Sequence, residues 1–237
     1  MNGWREDQLQ ALLTMRNERQ LMEEIMTVAR DLEFDFCAYG IRMPVPLSQP
    51  KIEMFNNYPA AWQMQYQAQR YVEVDPTVHH CTRSLVPIVW SNEVFASVPQ
   101  FWEEARSFGL RIGWAQSSYD ANAVAGMLTL ARPEEPLSES ELHAKRLIMA
   151  WLTQVAHLGM SRCLTPKLLP ESEIRLTERE RAVLRWTGDG KTASEISEIM
   201  RISESTVNFH IRNAVAKLGT ANKLAATVKA AMLGMLY

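Results

Sequence analysis

A chain of 237 residues has room for one large domain or two modest ones, and its net charge is −2. With 47% apolar and 22% charged residues it has the balance of an ordinary globular protein, which excludes a fibrous or largely disordered one. No run of about 18 apolar residues is present, which excludes a membrane-spanning helix. The opening MNGWREDQLQALL is too rich in acids and glutamines for a secretion signal, so a cytoplasmic protein is expected.

The first element is a helix over about Arg5 to Leu32, with Leu9, Leu12, Leu13, Leu21, Ile25, Met26 and Val28 at three- and four-residue spacings. Phe36 to Met43 reads as a strand, and Pro44, Pro46 and Pro50 make the next stretch a loop. Lys51 to Phe55 alternates as a second strand, and helical patterns return at Pro59 to Arg70 and near Gln100 to Phe108. Ile112 to Tyr119 and Val124 to Ala131 form a strand pair joined by a turn with Asp120 and Asn122. A long helix runs from Ser138 to about Arg162, opened by the reciprocal capping pattern Ser138-Glu-Ser-Glu141. It could be sheet-covering core, a dimer surface, or both. The order points to an α+β domain over 1–163, an α/β/α sandwich with an antiparallel sheet. A Pro-containing linker is expected over 164–173.

From 174 to 237 the pattern is all-α. Capping boxes at Thr177–Glu180 and Thr192–Glu195, an N-cap at Ser203 and a C-terminal stop at Gly219 delimit three helices; a fourth follows Asn222. From Glu171 onward there are 10 Lys+Arg against 8 Asp+Glu, a surplus of +2 too small to argue for nucleic acid by itself. Thr192 to Gly219 nevertheless has a helix-turn-helix layout. Ile196, Ile199 and Met200 stripe the first helix, Ile202 lies in the turn, and Val207, Ile211, Val215 and Leu218 stripe the second. Ser205, Asn208, Arg212 and Lys217 fall on its opposite face. Amide and guanidinium groups there can pair with base edges, while Thr206, His210 and Lys217 suit phosphate. A small bundle with a solvated polar face gives the same pattern. Arg201 stands in the turn, where glycine is common because φ is often positive.

Leu176 to Ala230 resembles the C-terminal domain of LuxR-type regulators through L-T-x-R-E, G-K-T and S-x-x-T-V-x-F-H. The resemblance implies a four-helix helix-turn-helix domain that binds DNA. Asn208 and Arg212 match base-contacting positions, and Glu180, Leu184 and Gly190 match near-universal structural or functional ones.

In the first domain the suggestive run is Asn56 to Pro76, where Tyr58, Trp62 and Tyr66 recur every four residues with Tyr71, Asp75 and Trp90 near in sequence. Aromatic walls with a few polar groups suit a small-molecule pocket, although the same spacing also builds a core. The segments F-x-x-Y-G-I-R, N-Y-P-x-x-W-x-x-x-Y, V-D-P-T-V and E-A-R-x-F-G-L-R-x-G resemble the N-acyl-homoserine-lactone-binding domain of quorum-sensing LuxR-type proteins. That implies ligand contacts at Tyr58, Trp62, Asp75 and Thr129, pocket-shaping roles for Tyr66, Pro76, Trp90 and Gly113, and an acyl-chain lining of Ala38, Gly40, Val78 and Met127. Trp114 could shorten the acyl tunnel or pack outward.

The partners implied are the lactone, a palindromic promoter site, a second copy of the chain and RNA polymerase, with no cofactor and no catalytic residue. Two alternatives stand beside this: a ligand-independent relative, and a response regulator with the same DNA-binding domain. The antiparallel strand pairs disfavour a receiver domain. His79, His80 and Cys81 are adjacent and lack a fourth ligand at metal-site spacing, so no metal is expected. Cys37, Cys81 and Cys163 are read as reduced, buried thiols.

Overall fold

The computed structural model describes residues 12–236. Among these no helix is long and apolar enough to cross a membrane. The chain forms two compact units; one holds the sheet and its helices as far as Leu164, and the other runs from Thr165 and takes in Met43–Lys51 and Ala121–Ala123.

The first unit begins with a short helical stretch over 12–14, after which the chain leaves the helical conformation at 15–17. Helix α1 then covers Glu18–Asp31. The single helix expected from Arg5 is therefore interrupted. Asn17 is the cause: its Oδ1 accepts from the backbone of Arg19 and Gln20, a cap that competes with continuing the helix. Arg5 to Ala11, including Leu9, lie outside the described residues.

Strand β1 (Phe36–Arg42) pairs antiparallel with β2 (Ile52–Asn56) on one side and β5 (Ala125–Arg132) on the other; β4 (Ile112–Tyr119) and the two-residue β3 (Ile88–Val89) extend the sheet in the order β2-β1-β5-β4-β3. Residues directly opposite each other share a face. Ala38 pairs with Asn56 and Thr129, Gly40 with Met54 and Met127, and Arg42 with Ile52 and Ala125. These make three successive rungs on one face. Helices α2 (Ala60–Ala68), α3 (Pro76–Cys81) and α4 (Pro99–Ser107) belong to the wall facing them.

On the other face, buried Tyr39, Leu128, Leu130 and Trp114 meet α1 and the 30-residue α5 (Glu139–Leu168). The Tyr39 hydroxyl lies 2.9 Å from His157 Nδ1 on α5. Trp114 thus turns away from the face that carries Ala38. At the start of α5 the expected capping box is half formed. Ser138 Oγ accepts from Glu141 N, but the Glu141 carboxylate goes to Arg132 (2.8 Å) and Lys145 (2.7 Å). Burial works against its ionisation, yet these two cations hold it below the usual carboxylate range. The helix also outruns Arg162, passing through Pro166 to Leu168, before a 3₁₀ turn at Pro170–Glu173. One proline in a last turn forfeits only one backbone bond.

The second unit packs α6 (Glu178–Gly188), α7 (Ala193–Met200), α8 (Glu204–Leu218) and α9 (Lys223–Met232). Thr177, Thr192, Ser203 and Asn222 cap these helices, the first two in complete capping boxes. Val183, Ile196, Val207 and Ile211 form one core cluster, and Leu176, Leu184, Ala214, Leu218, Ala226 and Ala230 belong to another. Ile199, expected in the apolar stripe of α7, is 43% exposed, because Ile196 and Met200 carry that contact.

Candidate ligand pocket and nucleic-acid interface

Between the three-rung face and helices α2–α4 lies a cavity of about 170 Å³. Ala38, Gly40, Met127 and Thr129 line it from the sheet, and Tyr58, Trp62, Tyr66, Asp75, Val78 and Trp90 from the opposite wall. Trp62 is 2% exposed and is packed by Tyr66, Tyr71, Phe101 and Phe108, at centroid distances of 5.6–5.8 Å. Phe95 and Trp102 stack at 4.2 Å, and Trp90 meets both edge-on. Offset and edge-to-face contacts of this kind hold a wall rigid.

Polar groups are few, and several have no partner among the described residues. Among the described residues no hydrogen bond is made by the Tyr58 hydroxyl, the Trp62 indole N–H or the Thr129 hydroxyl, and the Trp90 indole N–H is buried and unpaired. Asp75 is better provided for. It caps α3, with Oδ1 accepting from Thr77 N (2.8 Å) and Thr77 Oγ1 (2.6 Å), and Oδ2 accepts from the Tyr66 hydroxyl (3.1 Å). Burial raises its carboxyl pKa despite those bonds, and burial also raises the hydroxyls of Tyr58 and Tyr66. Asp75 therefore serves both as cap and as pocket wall.

In the second unit, α8 presents Ser205, Phe209 and Arg212 to solvent, with Asn208, Thr206 and His210 partly covered. Phe209 is 51% exposed and meets the His210 ring edge-on. Thr206 Oγ1 and Ser205 Oγ both hydrogen-bond the Ser203 cap at 2.7 Å. Lys217 stands apart from this face. Its Nζ is 2.7 Å from Oε2 of Glu180, which is 3% exposed and closes the Thr177 capping box. Burial opposes the charge on Glu180, but Lys217 and Thr177 hold its pKa below the usual range. Leu184 is fully buried beneath α8, and Gly190 adopts φ +83°, a conformation that favours glycine.

A 15-residue helix with a polar outward face, presented by a short turn from α7, has the geometry that enters a major groove. The family model of the autoinducer-binding domain matches residues 17–160, and that of the luxR family of bacterial regulatory proteins matches residues 175–230. The chain belongs to the LuxR family.

This LuxR-family chain is a quorum-sensing transcriptional regulator with an autoinducer-binding and a DNA-binding domain. It is 48% identical to the transcriptional activator protein AnoR of Acinetobacter nosocomialis over the whole of both chains. To the transcriptional activator protein SolR of Ralstonia nicotianae it is 47% identical over 98% of each. Its fold matches the crystal structure of Escherichia coli SdiA with a TM-score of 0.86 at 33% identity, covering 99% of this chain and 98% of that one. SdiA in complex with octanoyl-rac-glycerol matches equally well, over 96% of that chain.

Most of the pocket residues expected for the LuxR-family regulator come together around one cavity, and two act indirectly. Pro76 opens α3 behind the Asp75 cap and does not line the cavity. Gly113 also lies off the lining, but a Cβ there would sit 2.3 Å from the Trp90 ring, so its bare Cα seats that indole. His79 and His80 bond backbone carbonyls of Glu73 and Val86, whereas Cys81 is buried against the cavity, its thiol pushed up to about 12 by burial. Sequence reasoning missed Phe101, Trp102 and Leu110 on the floor, and Arg42, Met54 and Tyr119 toward the open end. The last three were within reach: they lie on the same sheet face as Ala38, Gly40 and Met127, which the family resemblance implied.

Proposed function

We propose that the cavity receives an N-acyl-homoserine lactone and that ligand binding favours a folded homodimer that reads a palindromic promoter site. The observation that carries this is a set of polar groups without partners among the described residues (Tyr58, Trp62 and Thr129) beside Asp75 in a mostly apolar cavity. Asp75 accepts from the ligand amide N–H, the Tyr58 and Thr129 hydroxyls donate to the amide carbonyl, and the Trp62 indole donates to the lactone carbonyl. The acyl chain lies along Ala38, Gly40, Val78 and Met127. Leaving such groups unpaired costs about 1–3 kcal/mol each, which links folding to ligand.

Residues 1–163 sense, 164–173 link and 174–237 bind DNA, in the cytoplasm and by binding rather than catalysis. Asn208 and Arg212 read bases, with Ser205, Thr206 and His210 on the same helix positioning it, and two copies of α8 meet major grooves about 34 Å apart. RNA polymerase is the further partner. The deciding experiment measures soluble yield and melting temperature of the full-length protein expressed with and without lactones of graded chain length. A selective rise supports the reading; a well-folded protein indifferent to every lactone refutes it and leaves a ligand-independent DNA-binding regulator. Because the solved SdiA complex holds octanoyl-rac-glycerol, a monoacylglycerol belongs in the same panel, and a response to it alone would select that class instead.

A further inference from the structure

We propose that Gly40 sets the length of acyl chain that the pocket accepts. The inference rests on the lactone reading and adds to it a determinant of specificity. Glycine in the middle of a central strand weakens the strand, so it calls for a local reason. Positive φ is not the reason, since Gly40 is absent from the positive-φ residues. Close approach of protein is not the reason either. A Cβ at Gly113 or Gly126 in the same sheet would come within 2.3 or 2.2 Å of a neighbouring side chain, whereas one at Gly40 would meet nothing within 4 Å. The free space beside Gly40 belongs to the cavity it lines.

Its place along the cavity gives that space a meaning. Gly40 occupies the middle of the three rungs, flanked by Met54 and Met127. The rung behind it carries Ala38 and Thr129, where the ligand amide is read; the rung ahead carries Arg42 and Ile52, both exposed, where the cavity meets solvent. Successive rungs are about 6.7 Å apart, so an extended chain reaches the Gly40 rung after roughly five methylenes and the Arg42 rung after roughly ten. A short acyl chain ends before Gly40. A long one passes over its bare Cα, between two flexible methionines that adapt to it.

The test is Gly40→Val in the full-length chain, with Gly40→Ala as the smaller step, expressed with N-butanoyl- or N-decanoyl-homoserine lactone. The readout is the lactone concentration giving half the maximal rise in soluble yield or melting temperature. Valine favours a strand and has room for its Cβ, so the fold is retained. For the decanoyl lactone the half-maximal concentration rises by about tenfold or more in the valine variant, the scale of overpacking a filled site, and by less in the alanine variant. For the butanoyl lactone both variants stay within about threefold of wild type. Equal responses of wild type and both variants to the decanoyl lactone overturn the inference while leaving the pocket reading intact. Loss of both lactones in a variant that still folds overturns it too, since Gly40 would then serve the whole pocket. A wild-type protein that responds to neither lactone refutes the ligand reading itself, and this inference with it.

Discussion

Replacing Asp75 with asparagine pulls ligand response and intrinsic stability in opposite directions. An asparagine side chain can keep the α3 cap, because its Oδ1 accepts from Thr77 N and Thr77 Oγ1 as the aspartate does at 2.8 and 2.6 Å. What changes is the second oxygen, which now accepts from Tyr66 and faces the cavity. An NH₂ group there meets the ligand amide N–H donor to donor. Loss of one charge-assisted bond, about 1.5–3 kcal/mol, corresponds to a roughly 10- to 150-fold higher half-maximal lactone concentration. Stability without lactone moves the other way. Burial raises the Asp75 pKa above its ordinary value of 3.8, so the native state holds this proton more tightly than the unfolded chain. The stabilisation from the protonated form is complete below 3.8 and is lost as pH rises through the raised native value. Asparagine is neutral throughout. The variant therefore melts higher than wild type at neutral pH, and the gap narrows as pH falls toward 4. Thermal melts from pH 4 to 8 without lactone, followed by lactone titration at pH 7, measure both effects. Unchanged lactone sensitivity, or a variant that melts lower at neutral pH, would refute the reasoning.

Lys217→Met should cost about 1–2 kcal/mol of unfolding free energy, a buried-pair penalty reduced because the lysine is partly exposed, with no change in the salt dependence of DNA binding. A salt slope lower by about one unit with unchanged stability would return Lys217 to the phosphate contacts. Arg201 ends α7 at φ 52°, so Arg201→Gly should raise the unfolding free energy of the DNA-binding half by about 0.5–1 kcal/mol, checked by urea denaturation. A destabilised glycine variant would mean that the arginine side chain contributes more than its backbone costs. Gly113→Ala should lower the melting temperature and weaken lactone response together, since its methyl group displaces Trp90, at about 1–3 kcal/mol. Unaltered tryptophan fluorescence in that variant would count against the displacement.

What was legible in the sequence was mostly local. Capping boxes at Thr177 and Thr192 fix where helices begin within four residues, and both form as read. Runs of β-favouring residues, alternating in β2 and joined by a turn between β4 and β5, located these strands and β1 to within a residue or two. Long-range competition was not legible. Glu141 had a good local partner in the Ser138 backbone, but Arg132 reaches it from β5 and, with Lys145 one turn along the same helix, draws the carboxylate away. Lys217 looked free on a helical wheel, and only the packing of α6 against α8 brings Glu180 to it. The pocket shows the same division. Periodicity grouped Tyr58, Trp62 and Tyr66, while the roles of Asp75 and Thr129 came from family resemblance; the floor built by Phe101 and Trp102 depends on how α4 packs, which spacing alone does not encode.

The order of the strands also bears on timing. β1 pairs directly with β5, joining Ala38 to Thr129, and the helices that wall the cavity are all made between them. The second unit is built from short helices that carry their own caps and contact near neighbours, so it reaches its structure through local steps. The sheet has to close one long loop between β1 and β5, and pairing at such sequence separation is slower than the formation of local helices. It waits on the ribosome as well, since β5 is synthesised after every helix of the cavity wall.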